Sequence, residues 1–321
     1  MLDQSQRERL SDRWRRFRER KEARALFAIV QRLMFVGVVA YLVYKLTQVG
    51  WSNVAGNLPA APLFYILFLL RYLALPLSEI PAYQMVWRKP LWRHVTAFIR
   101  KRVYNSAVMG YSGEAVFTLW ARRNLSLRDN EILAGVKDNN ILSAFASNAA
   151  TVIVIGILAM TGDLQTALSA LPGALILFSL ALASSIILVG VVILFRRRIL
   201  HVSDALTVRL TAIHSLRMVI VLALHAAMYS VALPDGALTA WLIFIAVQLV
   251  LSRIPFLPNQ DLVYLGAALA ISGVAGVPEA AIAGMLVAEA GLSQGLNFIL
   301  FFATAKDATS RLEEASLSDD K

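Results

Sequence analysis

Eight polar side chains sit in or beside apolar runs where hydrocarbon would surround them. Arg71 and Glu79 fall in the run 62–86, and Asn105, Tyr111 and Glu114 fall in the run 103–121, VYNSAVMGYSGEAVFTLWA. Arg253 and Asp261 bracket the break Ile254-Pro255-Phe256-Leu257-Pro258-Asn259-Gln260, and Glu289 interrupts the run 278–302. An arginine holds a phosphate through two parallel hydrogen bonds, and a carboxylate meets an amine or balances the arginine. A carboxylate beside a susceptible hydroxyl also serves as a general base, the role open to Glu114 or Asp261. Ionisable groups at membrane depth are costly unless they face protein or water, so by default they mark function. The bland alternative is a set of buried ion pairs that only hold helices together. Arg71 and Glu79, eight residues apart, differ by about 80° around a helix and could face one cavity, as a structural pair or a transport element. Glu279 follows Pro278 at a favourable helix start, whereas Glu289 has no such explanation.

Other chemistries are poorly represented. With no cysteine there is no disulfide, thiolate nucleophile or cysteine metal site. The chain has no H-E-x-x-H, phosphate loop of the Walker type or dinucleotide fingerprint. His94, His201, His214 and His225 are not spaced as metal ligands, so neither metal nor cofactor is expected. The loops are too short to house a soluble catalytic domain. The net charge of +10 is concentrated in segments beside apolar runs, which suits anionic lipid and topology rather than nucleic acid.

The elements that must position these groups are helical. A chain of 321 residues that is 58% hydrophobic, with mean hydropathy +0.63, reads as an all-α polytopic membrane protein. About eight transmembrane helices are expected, at 26–46, 62–86, 141–160, 172–195, 216–233, 238–251, 262–274 and 278–302. The run 103–121 has glycines at 110 and 113 and cations at both ends, the pattern of a segment that enters and returns. Pro255 and Pro258 make 254–275 a candidate second re-entrant segment. Residues 1–25, with nine Lys or Arg and an apolar stripe of Leu10, Trp14 and Phe17, form a basic amphipathic or solvated cytoplasmic segment rather than a cleaved signal. The transmembrane domain is placed at 26–302 and a polar cytoplasmic tail at 303–321. Ser126 and Asp129 have capping-box spacing, 199–217 looks interfacial, and Gly291 and Gly295 suit close helix packing, which leaves room for a homo-oligomer. Loops 47–61, 161–171 and 234–237 carry no Lys or Arg, whereas 87–102, 121–140 and 196–217 carry 6, 4 and 5. That alternation puts both termini in the cytoplasm, provided 103–121 does not cross fully.

The order Tyr104-Asn105, Gly110-Tyr111-Ser112-Gly113-Glu114 and Trp120-Ala121-Arg122 resembles the G-x-x-G-E region of the lysylphosphatidylglycerol synthase transmembrane, or flippase-like, family. The Trp-Arg-Lys-Pro turn at 87–90 and the late proline break before a glutamate-bearing helix are similar too. The resemblance implies a bacterial-type inner-membrane protein that moves a lipid between leaflets, without the aminoacyl-transferring domain of some relatives. The expected function is translocation of a lipid or lipid-linked precursor, with anionic membrane lipid as partner. The alternatives are an intramembrane transferase on a phospholipid or polyprenyl-linked substrate, and a non-catalytic assembly partner.

Overall fold

The computed structural model describes residues 40, 43, 44, 46–48, 50–107, 112–169, 173–254 and 260–318, with side chains to 304. Helices make up this part of the chain and no strand occurs in it. In order they are α1 (Trp51–Gly56), α2 (Pro62–Trp87), α3 (Val95–Ala107), α4 (Ser112–Asn124), α5 (Asp129–Thr161) and α6 (Asp163–Ser169). There follow α7 (Ala174–Ile199), α8 (Asp204–Ala232), α9 (Leu238–Leu251), α10 (Gln260–Ser272) and α11 (Glu279–Ser318). Five of them, α2, α5, α7, α8 and α11, are long and apolar enough to cross a bilayer. Outward-facing residues such as Ile153, Met160, Leu180, Ile187, Leu194, Val208 and Phe298 are apolar, as lipid-facing positions must be. The fold is that of a multi-pass helical membrane protein.

Local sequence explains most helix ends. Pro62 begins α2, where its missing N–H costs nothing, and Arg88 in the left-handed region ends it before Pro90. The internal prolines, Pro76 and Pro81, leave α2 one continuous helix. Arg128, rather than Ser126, caps α5. Its N–H donates to Glu131 Oε2 at 3.0 Å, and its guanidinium to Glu131 Oε1 at 2.8 Å. The longer Glu131 reaches back three residues, whereas Asp129 turns to Arg122 at 3.1 Å. Ser203 caps α8 by accepting from Leu206 N–H. That helix takes in most of 199–217, so no separate interfacial segment exists. Its polar positions Thr207, His214 and Arg217 are buried against neighbouring helices instead. The backbone of α11 runs on past its apolar part, Glu279–Thr304, as far as Ser318.

The long helices frame two hairpins. In the first, α3 and α4 lie antiparallel: His94 meets Trp120 edge-on, Phe98 packs against Phe117, and Lys101 O lies beside Gly113. This hairpin takes in the run 103–121 and starts at Val95. Each arm has 13 residues, about 20 Å, short of the roughly 30 Å of hydrocarbon. The second hairpin is α9 and α10, of 14 and 13 residues, again too short to count as ordinary spans. The expected span at 26–46 and the basic segment 1–25 lie mostly or wholly outside the described residues.

The order long helix, hairpin, long helix thus occurs twice, as α2–α3–α4–α5 and α8–α9–α10–α11. The two sets interlock: α2 packs along α8, α5 against α8 and α9, and α11 against α3. The first hairpin starts and ends at the face carrying the basic loops 88–94 and 125–128. The second starts and ends at the opposite face, with loops 233–237 and 273–278, which lack Lys and Arg.

Gly291 and Gly295 do not mediate packing between described helices. A Cβ at either would meet nothing within 4 Å. Gly113 and Gly284 are the close-approach glycines, since a Cβ there would fall 2.0 Å from Lys101 O and 2.3 Å from Asn57 O.

Candidate functional site

The first hairpin and the residue Arg253 just beyond α9 both reach a cavity inside the bundle. It has a volume of about 270 Å³ and is lined by Leu75, Glu79, Lys101, Arg102, Asn105, Glu114, Asn140, Ser143, Ala144, Ser147, Arg217 and Arg253. Helices α2, α3, α4, α5 and α8 and the end of α9 all contribute, so the site belongs to both helix sets.

Lys101 is its organising cation. Its Nζ donates to Glu79 Oε1 at 2.6 Å and lies 3.6 Å from Glu114 Oε1. The rings of Tyr83 and Phe117 sit 5.3 and 5.5 Å from the ammonium, close enough to stabilise it through their faces. Those rings belong to an aromatic cluster with Trp87 and Phe98 that packs the first hairpin onto α2. Asn105 acts on the nearby backbone. Its Oδ1 accepts from Gly113 N–H at 2.7 Å, while Ser112 Oγ donates to Tyr104 O at 2.8 Å. These two bonds fix the start of α4, and Glu114 then stands in its first turn, where the helix dipole favours a carboxylate.

Three arginines face this acidic pair. Arg217 donates to Ser143 Oγ at 3.1 Å and to His214 Nδ1 at 3.2 Å. Because Nδ1 accepts that bond, the proton of a neutral His214 sits on Nε2, which donates to Asn139 Oδ1 at 3.0 Å. Arg253 donates to Ser147 Oγ at 2.6 Å. Arg102 lies 4.0 Å over the Tyr72 ring, and its buried Nε has no hydrogen-bond partner among the described residues. Glu114 Oε2 is likewise buried without one. Neither Arg102 nor Arg217 has a carboxylate within ion-pairing distance among the described residues. The lining therefore holds four cations against two carboxylates.

A second polar cluster lies toward the face without basic loops. Arg71 pairs with Glu289, and His225 Nε2 stands 3.7 Å from the other Glu289 oxygen. Tyr229 and Tyr264 share a hydrogen bond nearby, and Tyr72 donates to Asn297 Oδ1 at 2.6 Å. Tyr72 joins the two clusters, since its ring lies under Arg102.

The sequence-derived candidates divide accordingly. Glu79, Asn105, Glu114 and Arg253 line the cavity. Arg71 and Glu289 pair with each other outside it, so Arg71 and Glu79 do not share one cavity. The intervening turns carry Arg71 to α11 and Glu79 to α3. Asp261 is exposed in the first turn of α10, without a hydrogen bond or ion pair to another described side chain. Tyr111 lies outside the described residues. Lys101, Arg102 and Arg217 were missed because they read as ordinary loop cations. The available signal was the register of α3, where Lys101, Asn105 and Phe98 recur at helical spacing beside an apolar face. No group of acidic or histidine side chains suited to a metal occurs among the described residues.

Comparison with family models, curated proteins and solved structures gave no match.

Proposed function

We propose that the protein is a translocase that moves a lipid or lipid-linked precursor between the leaflets of a bacterial-type inner membrane, with both termini cytoplasmic. The observation that carries this reading is the polar cavity lined by the first hairpin and by Arg253 beyond α9, elements that begin at opposite faces. Moving a headgroup through hydrocarbon requires polar partners along its path, while acyl chains remain in lipid. A cavity with four cations and two carboxylates supplies such partners, and a purely structural bundle has no need of it. Short hairpins from opposite faces also suit alternating access, in which one helix set moves against the other around a fixed site. The resemblance of 104–122 to the flippase-like family points the same way.

An intramembrane transferase is the second reading, favoured by the unpartnered Glu114 Oε2, which could accept a proton. Asp261 is less suited to that role, being exposed and outside the cavity lining. Purified protein in liposomes separates the two. Leaflet exchange of a fluorescent lipid, chemically unchanged and abolished by Glu114→Gln, is expected. A modified lipid product instead would establish the transferase, and full exchange by well-folded Glu114→Gln would remove Glu114 from the mechanism.

A further inference from the structure

We propose that leaflet exchange is coupled to a proton that binds His225 and competes with Arg71 for Glu289. This inference rests on the translocase reading and adds a second ligand, the proton, at a site apart from the cavity. Arg71 stands on α2, in the first helix set, whereas His225 on α8 and Glu289 on α11 belong to the second. Arg71 donates to Glu289 Oε1, and His225 Nε2 faces Glu289 Oε2 at 3.7 Å. That separation is too long for a hydrogen bond, and both atoms are buried without a partner among the described residues. With the neutral ring's proton on Nδ1, Nε2 and Oε2 are two acceptors face to face. One further proton makes Nε2 a donor and turns the contact into a charge-assisted hydrogen bond.

The two protonation states pull Glu289 in different directions. Neutral His225 leaves it to Arg71, and this pair ties α11 to α2 across the two helix sets. A bond from Tyr72 to Asn297 Oδ1 at 2.6 Å joins the same two helices. Protonated His225 draws Glu289 toward its own set, and repulsion between imidazolium and guanidinium favours moving Arg71 away. Acid therefore favours separation of α2 from α11. Asp261 of α10 acts on Arg71, Glu289 and Arg102 through space, so Arg71 keeps an anionic neighbour when Glu289 turns to His225. The Tyr229 ring lies 4.4 Å from the imidazole and shares a hydrogen bond with Tyr264, while Tyr72 stands between this cluster and Arg102. Helix α9 has no titratable side chain, and α5 has none beyond Asp138. Histidine is the side chain of this cluster whose ordinary range falls between about pH 5 and 8.

The test places spin labels at Leu70→Cys and Gln294→Cys, outward positions on α2 and α11, in the full chain, which has no native cysteine. Their separation should lengthen by about 2 Å or more between about pH 8 and pH 5. His225→Gln should hold the short distance at both pH values, and Arg71→Gln the long one. An unchanged distance with both residues present, or a shift that persists in His225→Gln, would overturn the proposal. Should His225→Gln not fold, Arg71→Gln decides, because a distance that still responds to pH there rules out competition for Glu289. Exchange of acyl-labelled phosphatidylglycerol or phosphatidylethanolamine, neither of which titrates in this range, is then measured in liposomes with the same pH on both sides. It should be at least about fivefold faster at the acid pH, a difference lost in His225→Gln. Equal exchange at both pH values overturns the coupling and leaves the translocase standing. A pH-dependent distance with exchange of neither lipid keeps the proton site and tells against the translocase instead.

Discussion

Replacing Lys101 with Met keeps the length of the side chain and removes its charge, leaving Glu79 and Glu114 without their shared cation. The side chains of Lys101, Glu79 and Glu114 are 3%, 7% and 17% exposed, so water screens the group little. At an effective dielectric of about 20, the contacts at 2.6 and 3.6 Å correspond to roughly 6 and 5 kcal/mol of Coulomb attraction. Most of that offsets desolvation, and removing one partner of a buried pair costs about 3–5 kcal/mol. The expected loss of about 3–4 kcal/mol corresponds to a fall in melting temperature of roughly 6–15 °C. Tryptophan fluorescence during heating in detergent measures it. Glu79→Gln in the Lys101→Met background should recover part of the loss, since one orphaned charge disappears. A Lys101→Met protein melting within 2 °C of wild type at pH 7 would refute the buried-trio account.

Other expectations follow from packing and topology. Gly113→Ala places a Cβ 2.0 Å from the Lys101 carbonyl oxygen, which cannot rotate away, so at least about 2–3 kcal/mol of stability should go. Size-exclusion profile and melting temperature read this, and an unaffected protein would show that the α3–α4 contact is looser than described. Gly291→Ala and Gly295→Ala meet nothing within 4 Å and should each gain up to about 1 kcal/mol from helix propensity. A fall in melting temperature there would mean that something packs on this face. With no native cysteine, Arg123→Cys and Asp235→Cys report the two faces by labelling in intact cells. Only position 235 should react from outside, and labelling of both would contradict the placement of the first hairpin.

Composition and hydropathy alone determined that the chain is helical and membrane-embedded, because a run of apolar residues has few ways to satisfy its backbone in lipid. The borders of α2 and α9 were close to legible, set by Pro62 and Arg88 in one case and by the Pro234-Asp235-Gly236 turn in the other. The separation of α3 from α4 and of α9 from α10 was legible too, since glycine and proline act on the local backbone. Partnership was not. Arg71 and Glu79 sit eight residues apart on one helix, yet one meets Glu289, 218 residues away, and the other meets Lys101. Lys101 and Arg102 looked like topological charges because their sequence neighbours are basic. Only the antiparallel return of α4 over α3 buries Lys101 among Tyr83, Phe117 and two carboxylates. Arg217 is similarly ordinary in sequence, and it lines the cavity because α8 packs along α2 and α5. Charge type is a property of the chain, but desolvation and pairing belong to the packed helices, and those decide which charges form a site.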